Sequence, residues 1–195
     1  MKKLILVAAP PASGKTYVSE AVAHRIPQAV YLDKDDLGTL IEAAFSASGE
    51  PYDMDGEFYR ASLRPAEYAT LMGIAFSTLR FADYVIVNAP FGKEVRDCEV
   101  FKAWKERANA CGAELILIWV KTPRELCYER MKARDAIRDR KKLLDFERYS
   151  STINYTPPFE LLEGECVDHL LLFESENEMS FQKSMKLILD VILEG

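Results

Sequence analysis

The chain has 195 residues with 25 Lys and Arg against 31 Asp and Glu, a formal charge of −6. Its 49% hydrophobic and 29% charged content fits one globular domain with a real core and excludes wholesale disorder. A net negative chain is not built as a general nucleic-acid coat, although one local basic site could still hold an anion.

The apolar run Leu4–Ala9 after Met1-Lys2-Lys3 is too short for the apolar stretch of a signal peptide, and no later run is long enough to span a membrane. The four cysteines, Cys98, Cys111, Cys127 and Cys166, include no C-x-x-C pair, and His24 and His169 are the only histidines. The reading is ordinary thiols in a reducing cytoplasm, with neither a zinc site nor a disulfide framework.

Leu4–Ala8, Ala29–Leu32, Tyr84–Val87, Leu115–Val120 and His169–Phe173 read as short buried strands, as in a parallel sheet covered on both faces. Helical stripes lie between and after them: Tyr68, Leu71, Met72, Ala75, Phe76 and Leu79; then Phe101, Trp104, Ala108 and Cys111; then Phe181, Met185, Ile188 and Ile192. Strand–helix alternation predicts an α/β fold with right-handed crossovers. Ser46–Asp55 and Thr152–Gly164 read as loops.

The strongest signal is Ala9-Pro10-Pro11-Ala12-Ser13-Gly14-Lys15-Thr16, directly after the first strand and before a helix carrying Val18, Ala21 and Val22. It matches the phosphate-loop pattern except that Ala9 replaces the first glycine. Backbone N–H groups at such a helix start cradle phosphate oxygens. Gly14 lets the backbone approach, Lys15 reaches the outer phosphates, and the Thr16 hydroxyl joins Mg²⁺. Ala12, Ser13, Gly14, Lys15, Thr16 and Tyr17 are the expected nucleotide contacts. A methyl at positive φ, where Ala9 or Ala12 stands for glycine, costs about 1 kcal/mol.

The second strand runs into Asp33-Lys34-Asp35-Asp36. Chemistry gathers at the carboxyl ends of parallel strands, so one of these carboxylates is expected near the terminal phosphate and another to cap the following helix. The phosphate loop together with Leu32-Asp33-Lys34-Asp35-Asp36-Leu37 resembles the P-loop kinases of the adenylate-kinase-like group. The branch it resembles holds polynucleotide 5′-hydroxyl kinases, chloramphenicol phosphotransferase-like enzymes and zeta-toxin-like kinases. The resemblance implies a three-layer P-loop NTPase fold with a five-stranded parallel sheet of order 2-3-1-4-5 and a helical lid. It also implies that Asp35 is the general base. The branch often carries an arginine three residues after this Asp; here that position is Gly38.

Residues 121–148 hold ten basic and six acidic side chains, leaving −10 for the rest of the chain. Arg130, Arg134 and Arg138 fall at i, i+4 and i+8, a spacing that sets like charges on one helix face unless an anion relieves them. In the resembled kinases this segment is the lid whose arginines close over the transferring phosphoryl group, so Arg130 and Arg134 are expected there. Asn88 ends the third strand where relatives usually place Asp, and a neutral amide there can still orient a magnesium-bound water. Asp33, Arg60, Arg64, Asn88 and Arg96 are candidate acceptor contacts, and Ser175–Asn177 a candidate adenine contact.

These readings combine into one P-loop kinase-like domain over 1–195, with an acceptor region about 37–80 and a lid about 124–145. The expected activity is transfer of the γ-phosphoryl of ATP, with Mg²⁺, to a hydroxyl or phosphate of a small-molecule or nucleotide-like acceptor. No membrane partner is expected, and nucleic acid is not favoured. The competing readings are an NTP hydrolase, or a nucleotide-binding module without transfer activity.

Overall fold

The computed structural model describes residues 1–194, apart from the side chains of Ile137, Arg138 and Glu194. Five parallel strands, β1 (Lys2–Ala8), β2 (Val30–Asp33), β3 (Tyr84–Asn88), β4 (Ala113–Lys121) and β5 (His169–Glu174), form one sheet in the order β2-β3-β1-β4-β5. This is the expected fold.

Alternation along each strand sends side chains to two separate cores. Leu4, Leu6, Val85, Val87, Leu115, Leu117 and Trp119 face α3 (Arg64–Thr78) and α4 (Cys98–Ala110). Ile5, Val7, Ile86, Ile116, Ile118 and Val120 face α1 (Lys15–Ala23) and α9 (Glu178–Glu194). The predicted stripes are the buried faces: Leu71, Met72 and Ala75 of α3, Phe101 and Ala108 of α4, and Met185, Ile188 and Ile192 of α9. Helices on both faces explain why the strands read as continuous apolar runs.

The remaining helices lie above the carboxyl end of the sheet or along its flank: α2 (Gly38–Ser48), α5 (Arg124–Arg134), α6 (Ile137–Leu144), α7 (Phe146–Ser151) and α8 (Phe159–Glu163). A 3-10 turn, Lys34–Leu37, leads into α2, and a π-helical turn, Tyr59–Leu63, leads into α3. Two expected loops are shorter than read, because α2 continues to Ser48 and α8 occupies part of 152–164.

Two expectations are corrected. The basic segment is not one helix: Asp135 adopts φ 42 and ends α5, so Arg138 begins afresh in α6 and does not continue the face of Arg130 and Arg134. Asp is among the residues that tolerate this left-handed conformation. Cys98 and Cys166 are joined as a disulfide with a Cα–Cα distance of 5.8 Å, leaving Cys111 and Cys127 as thiols. The partners are 68 residues apart and meet only because α4 packs beside the segment after α8, so no local spacing announces the pair. No helix among the described residues is long and apolar enough to cross a membrane.

Candidate active site

The sheet register sets the site. Val7 pairs with Asn88, and Asn88 pairs with Asp33 across the next ladder. Three neighbouring strands therefore end at one level, the first in the phosphate loop, the second in Asp33 and the third in Asn88.

The loop has the backbone of an anion cradle. Gly14 takes φ 87 as the residue before α1, and Ala12 takes φ 62. The strain expected from the missing glycines thus falls on Ala12, since Ala9 keeps negative φ and is buried at the end of β1. A Cβ on Gly14 would stand 3.2 Å from Arg130 Nη1, so glycine is favoured there by its conformation, and any larger residue would also press on the Arg130 guanidinium. No side chain caps α1, and an uncapped helix start of this kind directs N–H groups and the positive end of the helix dipole toward an oxyanion. Ser13 is buried, and its hydroxyl donates to the Pro10 carbonyl at 2.6 Å, closing the loop on itself.

Asn88 is fully buried and joins the three strand ends. Its Oδ1 accepts from Lys15 Nζ, and its Nδ2 donates to Asp33 Oδ2 at 2.5 Å and to Thr16 Oγ1 at 3.3 Å. Tyr31 OH donates to the same Asp33 oxygen at 3.1 Å and meets Ser19 Oγ at 3.0 Å. Burial pushes the Tyr31 phenol well above its ordinary value; the Ser19 bond opposes this and the Asp33 charge adds to it. Tyr31 thus stays a neutral donor. Asp33 is held at both oxygens, because its Oδ1 accepts the Asp35 N–H at 2.9 Å and caps the 3-10 turn. Asp33 both caps the turn and faces Asn88, while Asp35 stands exposed beside Lys34.

A second feature lies on the other side of the loop. The Ser13 carbonyl accepts from Thr122 Oγ1 at 2.9 Å and from Arg130 Nη1 at 2.8 Å, and Arg130 Nη2 donates to the Ser175 carbonyl at 2.8 Å. Arg130 therefore bridges the phosphate loop and the end of β5. Beside it lies a cavity of about 270 Å³ lined by Gly14, Tyr17, Ser175, Asn177 and Phe181. The Tyr17 and Phe181 rings pack at 5.3 Å. A flat guanidinium, aromatic edges and backbone polar groups suit a nucleobase.

The other expected arginines have protein partners. Arg134 reaches Asp139 Oδ2 at 2.9 Å through Nε and 2.5 Å through Nη2, and Asp139 is buried. It ties α6 to α5 and does not meet Arg130 over the loop. Arg64 forms a two-pronged pair with Glu94 at 2.7 and 2.8 Å and lies over the Tyr68 ring at 4.2 Å. Burial works against the Arg64 charge, yet the Glu94 bond and the charge interactions with Tyr68, Glu94 and Tyr59 together outweigh it and raise the pKa. Arg96 pairs with Glu160 at 2.8 Å, donates to the Thr156 carbonyl and lies over the Trp119 ring. Arg60 is exposed. The Arg138 side chain lies outside the described residues. Among the described residues no three His, Cys, Asp or Glu side chains form a metal cluster.

Sequence reading missed a buried polar group next to this site. Lys34 Nζ lies 3.2 Å from Glu67 Oε1 and 3.1 Å from Asp35 Oδ1, and Tyr59 OH donates to Glu67 Oε2 at 2.6 Å. Glu67 falls among the apolar positions of the α3 stripe, and a charge in that register was the available signal.

A family model described as an AAA domain matches residues 4–154. No curated protein sequence matches the chain. Among solved structures, a gluconokinase from Sinorhizobium meliloti 1021 superposes with TM-score 0.54 at 14% identity, covering 98% of this chain and 94% of its own. The tunicamycin resistance protein of Deinococcus radiodurans gives 0.57 at 14%, covering 98% and 96%. A shikimate kinase from Bacteroides thetaiotaomicron gives 0.53 at 12%, covering 97% and 98%. The chain belongs to this AAA-domain family of P-loop proteins, and its fold is the one these kinases share.

Proposed function

We propose that the protein transfers the γ-phosphoryl group of ATP to a hydroxyl of a small-molecule acceptor. The observation that carries the reading is the Asn88 junction: one buried amide holds the phosphate-loop Lys15, the Thr16 hydroxyl and the Asp33 carboxylate together at the carboxyl end of the sheet. The shared fold of the gluconokinase and the shikimate kinase agrees with it. A motor ATPase would need a carboxylate pair after β3, and Asn88 followed by Ala89 and Pro90 supplies none.

In this reading the loop amides from Ala12 to Tyr17 and the Lys15 ammonium hold the phosphates. Arg130 and the cavity beside it hold the adenine, an assignment on the base side of the loop instead of over the transferring group. Thr16 and Asp33 offer hard oxygen donors at one place, bridged by the Asn88 amide nitrogen, which suits Mg²⁺ with its preference for one or two protein oxygens plus waters and phosphates. Mg²⁺ bound there would neutralise charge on the transferring phosphoryl group. Asp35, exposed one turn beyond, orients the acceptor hydroxyl and accepts its proton. Catalysis is chiefly positioning and charge stabilisation. The segment α5–α7 is the lid and α2–α3 the acceptor side, with Arg60 the acceptor-side arginine that keeps its side chain exposed.

The test is transfer of label from γ-labelled ATP with Mg²⁺ to pooled sugars, nucleosides, amino alcohols and nucleotides, for wild type and Lys15→Ala. Label on one pool, absent in the variant, supports the proposal. Free phosphate as the only product would point to a hydrolase. ATP binding with neither product would point to a binding module.

A further inference from the structure

Lys34, Glu67 and Tyr59 are 8%, 3% and 7% exposed and come from three different elements: the 3-10 turn after β2, α3, and the π-helical turn before it. Each Glu67 oxygen has one donor, Tyr59 OH at 2.6 Å and Lys34 Nζ at 3.2 Å. The same ammonium lies 3.1 Å from Asp35 Oδ1, whose side chain is 68% exposed against 1% for Glu67. One lysine thus stands between a buried carboxylate and a solvent-facing one.

A buried charge group of this kind is poor material for stability. Apolar side chains of similar volume often fill such a space at no cost, and a neighbouring apolar cluster of Ile41, Phe45 and Tyr59 is already present. What the group does provide is restraint. Lysine ordinarily keeps many rotamers, but here its far end is fixed by Glu67, which Tyr59 fixes in turn. Burial, followed by the Glu67 bond and charge, pushes the Tyr59 phenol up, so it remains a donor. The π-helical turn brings Tyr59 back onto Glu67 eight residues later, and such wide turns recur at functional sites. Asp35 is meanwhile held by its backbone N–H on Asp33. Its main chain and its carboxylate are therefore fixed by two independent contacts.

We infer that Lys34, locked by Glu67 and Tyr59, is a positioning residue that sets the Asp35 carboxylate toward the acceptor hydroxyl. The inference rests on the proposed role of Asp35 as the acceptor-activating base. It also couples acceptor-side helix α3 to that base, since Glu67 moves with α3.

The experiment measures labelled transfer from Mg-ATP to the pooled acceptors, and ATP affinity by titration with a fluorescent ATP analogue, on the full chain. Lys34→Met is expected to lower kcat by about 10–100-fold with KM for ATP changed less than about 3-fold. Lys34→Arg should restore most of the rate, and Glu67→Gln should act in the same direction as Lys34→Met. In an Asp35→Asn background Lys34→Met should add less than about 2-fold, because the two residues act as one unit. Lys34→Gln, with near-ultraviolet circular dichroism, replaces Lys34→Met where that variant does not fold. Asp35→Asn inactive with Lys34→Met at the wild-type rate, or losses that multiply, would overturn the inference alone. Asp35→Asn at the wild-type rate, or no transfer by wild type to any pool, would remove the base assignment and the inference with it.

Discussion

Replacing Asn88 by alanine probes the junction on which the site is built. The side chain is fully buried and bonds two charged groups, accepting from Lys15 and donating to Asp33 at 2.5 Å. Hydrogen bonds to charged groups contribute about 1.5–3 kcal/mol each. Asp33 retains the Tyr31 hydroxyl, which offsets part of what is lost. The lower end for the two bonds together gives a loss of about 3 kcal/mol, which for a chain of this length lowers Tm by about 6–12 °C. Urea unfolding should show a lower midpoint with an unchanged slope, since the same surface is exposed. Mg-ATP affinity should fall as well, because Lys15, Thr16 and Asp33 lose their common anchor. A stability change below about 0.5 kcal/mol together with unchanged Mg-ATP affinity would refute the reasoning. Asn88→Asp tests its sign: a second carboxylate against Asp33 should destabilise the metal-free protein, and Mg²⁺ should restore much of the loss.

Gly14→Ala should weaken ATP binding and cost at least about 1 kcal/mol in stability, read by titration and urea unfolding, because φ 87 and the Arg130 guanidinium both oppose a methyl group. Arg134→Ala should accelerate limited proteolysis between α5 and α6 while changing ATP affinity less than about 3-fold, since Arg134 serves the buried Asp139 and not the loop. Thiol titration of the unfolded, unreduced protein should find two thiols, and in the folded protein Cys111 should be alkylated before Cys127, which burial pushes up to about 11 against a smaller opposing effect of Arg130. Desolvation raises the Glu160 pKa, but the Arg96 bond, a backbone hydrogen bond and the Arg96 charge together outweigh it and leave the folded value below the ordinary 4.5. The pair therefore stabilises the fold above that value and is lost as pH falls through the lowered one, so Glu160→Gln should flatten the acid limb of a Tm–pH curve.

The strands and the phosphate-loop motif were readable because each is written locally, whereas the strand order came only with the family resemblance. Apolar runs mark the strands, Gly14-Lys15-Thr16 marks the cradle, and Asp33 and Asn88 stand at strand ends whose register brings them together. The partners of the arginines were not readable. Arg130, Arg134, Arg64 and Arg96 differ only in what the fold places within reach: two carbonyls, a buried Asp139, Glu94, and Glu160 with a carbonyl, respectively. Helical spacing suggested one basic face, and a single left-handed residue, Asp135, broke it. The Cys98–Cys166 link and the Lys34–Glu67–Tyr59 group were hidden for the same reason, because each joins segments that only tertiary packing brings together.

The most direct test of the account separates binding from transfer at Asp35. ATP affinity and label transfer from γ-labelled Mg-ATP would be measured side by side for wild type and Asp35→Asn, using whichever pool accepts label. The account predicts ATP affinity within about 3-fold of wild type and transfer lowered by at least about 100-fold. Transfer at the wild-type rate in Asp35→Asn would contradict it and move the acceptor-activating role to another group.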